Sequence, residues 1–199
     1  MRDDVVLQRP EDLHFLVPVF HTPTACCGAS TAYLLRRIAY CAGAYAPGIH
    51  EHIFHELNTA RDGGSLDRVQ HWFAGRARLL SELGYRVHCR RATIPTAALI
   101  DWVRQGRGYR GVMLPTSFKR LHPRPGAGGR EVVDDKVAHA VGITMDKLSA
   151  NGDDELVMID PWPGVDREAP DRGPISPAIE AAHKDAGLHA LAYYWVGWF

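Results

Sequence analysis

Long apolar runs are missing from this chain of 199 residues. A membrane-spanning helix needs roughly 18 or more consecutive apolar residues. The tail ALAYYWVGWF, the most apolar stretch, is about half that length. It reads as a buried terminal strand, and no membrane span is expected. An excess of one charge is missing too: 23 basic residues balance 23 acidic ones. That excludes the electrostatic footprint of a nucleic-acid or anionic-lipid binder. Lysine is scarce, 4 against 19 arginines, a skew that fits a GC-rich genome better than phosphate recognition. Cysteine is limited to Cys26, Cys27, Cys41 and Cys89. Two of these are adjacent, and adjacent cysteines bridge only with strain. All four are read as thiols rather than as a disulfide framework.

Two further motifs are incomplete. GAGGRE at 126–131 lacks the Lys-Ser/Thr of a phosphate loop. HEHIFHE at 50–56 concentrates His50, His52, His55, Glu51 and Glu56, but Phe54 stands where a zincin helix needs its second histidine. Zinc held by His52 and His55, or by Glu51 and His55, is the competing metal reading, set against a solvated helix face. The favoured expectation is no metal and no cofactor. The first residues, MRDDVVLQRPEDLHFL, are acidic and lack a signal-like apolar core. A cytoplasmic address is expected, with export as an effector the alternative.

What is present suits one globular domain over 1–199: 46% hydrophobic and 23% charged residues are enough to build a core. Apolar spacing predicts helices over 27–42, within 48–64, over 66–83, and from Pro95 to 105. Thr22 or Thr24 is expected to cap the first of them. Alternating or short apolar runs predict strands at 85–91, 110–117, 137–146, 154–162 and 190–199. A short helix is expected at 176–186, and a polar loop at 116–135 of a length that is often functional. Helices come first and an antiparallel sheet follows, so the fold class is α+β.

The chemistry is concentrated in HTPTACCGAS at 21–30, AHAVGI at 138–143 and MIDPWPG at 158–164. A thiol attacks only as thiolate, and the N–H groups at a helix start stabilise that charge. Cys27 at a helix mouth is therefore a candidate nucleophile, although a buried cysteine is also commonly inert. It needs an imidazole and an orienting group. His139, early in one strand, and Asp160, at the end of the next, would be brought together by a hairpin.

These landmarks resemble the papain-like cysteine peptidase superfamily, nearest its bacteriocin leader-peptidase (double-glycine peptidase)-like branch. The matches are Cys27-Gly28, His139-Ala140-Val141 and Asp160-Pro161-Trp162-Pro163-Gly164, after a Val17-Pro18 strand. The resemblance implies a papain-like fold with N-terminal helices packed on the sheet. It implies a peptide or amide substrate cleaved through a Cys27–His139–Asp160 triad and a thioester intermediate. Trp162 would shield the histidine–acid pair. Where the family places an oxyanion-hole glutamine, six positions before the nucleophile, this chain has His21. His21 and the Cys27 backbone N–H would then receive the oxyanion. The same triad suits an acyltransferase, and an inactive peptide-binding module is the non-enzymatic alternative.

Overall fold

The computed structural model describes residues 25–117, 138–146, 155–159, 161, 183–184 and 189–196. In chain order the elements are helices α1 (Cys26–Cys41), α2 (Pro47–Leu57) and α3 (Leu66–Glu82), strand β1 (Val87–Ala92), helix α4 (Thr96–Gln105), and strands β2 (Arg110–Ser117), β3 (Ala138–Asp146), β4 (Glu155–Ile159) and β5 (Ala190–Trp195).

Local chemistry sets the helix boundaries. Pro47 occupies the first turn of α2, where its missing N–H costs nothing. Ser65 caps α3, its Oγ accepting the Arg68 backbone N–H at 3.3 Å. α2 is shorter than the span 48–64 suggested. It stops at Leu57, and Thr59 organises the following loop by donating to the Glu56 carbonyl and accepting the Asp62 N–H. α1 begins one residue earlier than expected, so both adjacent cysteines lie within its first turn. Its N-cap position is Ala25, with no side-chain capping bond. Thr22 and Thr24 lie outside the described residues, as do residues 1–20, nearly all of the 116–135 loop and most of 176–186.

The five strands form one sheet in the order β1-β5-β2-β3-β4, and every neighbouring pair is antiparallel. The last strand is thus inserted between β1 and β2, which accounts for its apolar sequence. Strand alternation sends side chains to two separate cores. Met113, Ala140, Leu191, Tyr193 and Trp195 meet α1, α2 and α3 on one face. Val112, Leu114, Val141, Ile143, Ala190 and Ala192 meet Leu99, Ile100 and Val103 of α4 on the other. The α+β class is therefore observed, with helices on both faces of an antiparallel sheet.

Helix α1 lies at the centre. Thirteen of its sixteen residues are buried, so it is covered on nearly all sides and not merely amphipathic. Its start is locked by backbone contact with the loop after α2. The Gly28 N–H donates to the Gly63 carbonyl at 2.9 Å. A Cβ at Gly28 would come within 1.9 Å of the Leu57 carbonyl oxygen, and one at Gly63 within 1.7 Å of the same atom. Neither position has space for any side chain. On the sheet side, Gly142 lets Leu34 descend onto β3: a Cβ there would stand 3.0 Å from the Leu34 side chain.

Candidate active site

The two cysteines share a helix turn but face different strands, and helix geometry separates them. Side chains four apart lie on one stripe. Cys26 heads the stripe that continues through Ser30 and Leu34. Ser30 Oγ donates to the Ala140 carbonyl at 2.8 Å, and Leu34 packs on Gly142, so this stripe runs along β3. Cys27 heads the stripe of Thr31 and Leu35. Thr31 Oγ1 lies 2.6 Å from the Tyr193 hydroxyl, and the Leu35 carbonyl accepts Tyr85 Oη–H at 3.0 Å. That stripe faces β5 and the segment leading into β1.

His139 is the second residue of β3, beyond the last β4 pairing, Gly142 with Ile159. It is buried, and its ring lies within hydrogen-bonding reach of the Cys26 sulfur. The histidine partner expected for Cys27 therefore stands beside Cys26. Cys27 is the neighbour: its sulfur hydrogen-bonds with that of Cys26 and acts electrostatically on Tyr193.

Electrostatics separate the pair. The Cys26 thiol is drawn down from its ordinary 9.0 to about 5. The largest cause is the hydrogen bond from the Cys27 thiol. Burial opposes the shift, while the hydrogen bond and charge of His139 and the Cys27 backbone N–H assist it. Cys27 is pushed well above 9.0, first because its thiol proton is held in the hydrogen bond to Cys26, then by burial, and then because a second charge would stand beside Cys26. The two sulfurs therefore titrate as a pair, with His139 acting on the Cys26 side of it.

The shell around the thiols is polar and matched. Thr31 Oγ1 donates its one proton to the Cys27 carbonyl at 2.7 Å, so the Tyr193 hydroxyl must donate to Thr31. Tyr193 is wholly buried, and its pKa is raised by burial first and next by the Cys89 sulfur. Cys89 is itself raised to about 12 by burial, which keeps it a protonated neighbour and not a second nucleophile. Cys41 is half-buried at the far end of α1.

The hairpin that would bring Asp160 to His139 is observed, since β3 and β4 pair antiparallel with Ile159 at the end nearest His139. Asp160 itself, Trp162 and His21 lie outside the described residues. The HEHIFHE segment forms α2, and the helix disperses its histidines. His50 is buried, His55 is exposed, and His52 Nε2 sits 3.4 Å from Glu56 Oε1. Among the described residues, no three His, Cys, Asp or Glu side chains gather as metal ligands. A cleft of about 460 Å³ between the end of α2 and α3 is lined by Glu56, Trp72 and Arg76, among others. Its polar groups satisfy one another: Glu56 accepts from Trp72 Nε1 at 2.6 Å and from Arg76 Nη2 at 2.8 Å. No thiol lines it.

The sequence held an unused signal for choosing between the thiols. Ser30 and Leu34 on one stripe, with Thr31 and Leu35 on the next, give the rotational phase of the helix. Only a sheet with β3 under the first stripe converts that phase into a partner for Cys26. No helix among the described residues is long and apolar enough to cross a membrane. Comparison with family models, curated proteins and solved structures gives no match for this chain.

Proposed function

We propose that the protein is a papain-like cysteine hydrolase, a peptidase or amidase, whose nucleophile is Cys26 rather than Cys27 and whose base is His139. The observation that carries this is the meeting of a depressed-pKa thiol in the first turn of a central helix with a buried histidine from a distant strand. Perturbed titrations with a specific partner mark functional sites more often than structural ones. The α+β architecture, with the thiol-bearing helix packed on an antiparallel sheet, supports the papain-like assignment.

In the proposed reaction the Cys26 thiolate adds to the substrate carbonyl carbon, and the carbonyl electrons move to oxygen. The Cys27 backbone N–H, which points toward the sulfur pair, is one donor for that oxyanion; six positions before Cys26 stands Phe20, so the register that assigned His21 as a donor belongs to Cys27 and does not carry over. The imidazolium of His139 protonates the leaving nitrogen as the C–N bond breaks, leaving a thioester on Cys26. His139 then removes a proton from water, which attacks the thioester and regenerates the thiolate. Asp160 would hold the imidazole tautomer. An amine in place of water gives acyl transfer from the same intermediate.

The test is mass spectrometry of the protein after incubation with a generic peptide ester. An acyl adduct mapping to Cys26, lost in Cys26→Ala and retained in Cys27→Ala, is the expected result. An adduct on Cys27 would return the nucleophile to that position. Absence of any adduct, with both thiols alkylating at ordinary rates, would leave a peptide-binding module without chemistry.

A further inference from the structure

Helix α1 carries a second buried charge, Arg36, about 15 Å along the axis from Cys26 at 1.5 Å per residue. Arg36 is 2% exposed, and among the described residues its Nε, Nη1 and Nη2 have no hydrogen-bond partner. His50, in the first turn of α2, is 3% exposed, and among the described residues neither of its ring nitrogens has a hydrogen-bond partner. Tyr45 links the two: the guanidinium carbon lies 5.4 Å from the centre of its ring, and the His50 ring centre lies 5.9 Å from it. Side chains from α1 and α2 thus both meet the Tyr45 ring of the 42–46 connection.

Two unpartnered polar side chains in one place demand an explanation. A guanidinium stays charged in proteins and carries five N–H donors. Burying it without an acceptor is strongly unfavourable. The cation–π contact with Tyr45 covers one face of the guanidinium and leaves the N–H groups at its edge unmatched. The geometry points to a binding site for one small monovalent carboxylate, held in the plane of the Arg36 fork, with His50 as a further donor and Tyr45 as the wall.

A carboxylate fits better than other anions for three reasons. The fork geometry of arginine matches two carboxylate oxygens. His50 is neutral, held down to about 3 by burial and next by the Arg36 charge, so among the described residues Arg36 is the one fully buried positive charge, with the half-buried Arg37 acting on it from outside. One negative charge balances it, whereas a phosphate dianion would leave an excess buried. Finally, the residues of the 42–46 connection are half-buried or exposed, so the region lies just beneath the surface. A small ligand, or the carboxylate end of a longer one, reaches it without dismantling the core.

The test uses the full chain, with sodium acetate as the probe and sodium chloride at matched ionic strength as the reference. Acetate is expected to raise the Tm saturably, as a ligand of the folded state must. It should also shift the Arg36 Nε–H resonance in an NMR titration. Arg36→Met should abolish the acetate dependence of Tm, and His50→Leu should weaken apparent acetate affinity by about tenfold, the loss of one hydrogen bond to a charged group. The NMR titration of the unaltered protein stands even if a variant fails to fold. Equal Tm in acetate and chloride with an unmoved Arg36 resonance would overturn the proposal. So would inorganic phosphate stabilising the protein more than acetate does.

Discussion

The two ends of helix α1 both bury a charge, and they handle it in opposite ways. At the first turn, the Cys26 thiolate is met by the Cys27 thiol, the Cys27 backbone N–H and the ring of His139. Nearly three turns on, the Arg36 guanidinium is met by the face of Tyr45 and by a histidine that burial keeps neutral. The first charge is stabilised from within the fold. The second has its hydrogen-bonding capacity still to fill. A buried charge with complete partners is a site ready to act, whereas one without them is a site ready to bind.

The largest effect should come from breaking the contact that positions the thiol end. Gly28→Ala drives a methyl group into the Leu57 carbonyl and the Gly63 backbone. The expected cost is about 3 kcal/mol, the upper range for overpacking, because backbone on both sides has little freedom to shift. A urea melt measures it. Gly43→Ala, at a position with open space but a φ of 67°, separates pure crowding from backbone strain and should cost less, roughly 1 kcal/mol.

The Arg36 end should reveal itself through pH. The His50 pKa in the folded state, about 3, lies below its ordinary 6.5. Above about pH 6.5 the ring is neutral in both folded and unfolded chains, and stability is unaffected. Below it the unfolded chain takes up a proton that the fold refuses, next to Arg36 and Tyr45. Stability should therefore fall as pH drops from about 6.5 toward about 3 and level off below that. His50→Gln should flatten that part of the stability–pH curve measured by chemical denaturation.

Cys27→Ala sharpens the contrast at the other end. It removes the hydrogen bond that contributes most to holding the Cys26 proton off. The Cys26 titration, followed as the pH dependence of iodoacetamide alkylation, should move up from near 5. Alkylation at the old midpoint should drop by about tenfold for each unit of that rise. Arg36→Met, at the far end of the helix, should leave that titration in place. The smallest effect is expected from Thr31→Val, about 1 kcal/mol by thermal melt. It strips a hydrogen bond from the Tyr193 hydroxyl and the Cys27 carbonyl, but Tyr193 keeps the Cys89 sulfur as a partner.

Much of the fold was legible because its signals are local. Apolar spacing marks the helices at 27–42 and 66–83 and Pro95 the start of the next, and the strand positions of Val87, Met113, Val141 and Tyr193 follow from apolar alternation or short apolar runs. The hairpin of β3 and β4, which carries His139, was legible for the same reason. The placement of β5 between β1 and β2 was not, since strand order depends on long-range pairing that no local pattern encodes. The Arg36 region was missed altogether. Arg36 and Arg37 stand side by side in LLRRIAY, and nothing local tells which is enclosed when neighbouring elements pack around the helix.

The amino-acid order alone determined that two thiols open a helix, that a histidine sits early in a later strand, and that the charge balance is neutral. Those are properties of composition and short-range periodicity. Which thiol meets the histidine, and which arginine loses its water, was decided only in three dimensions. Both depend on the rotation of α1 against its neighbours, fixed by Gly28 on Gly63 at one end and Leu34 over Gly142 further along. One residue along a helix turns a side chain by about 100°, enough to exchange one partner for another.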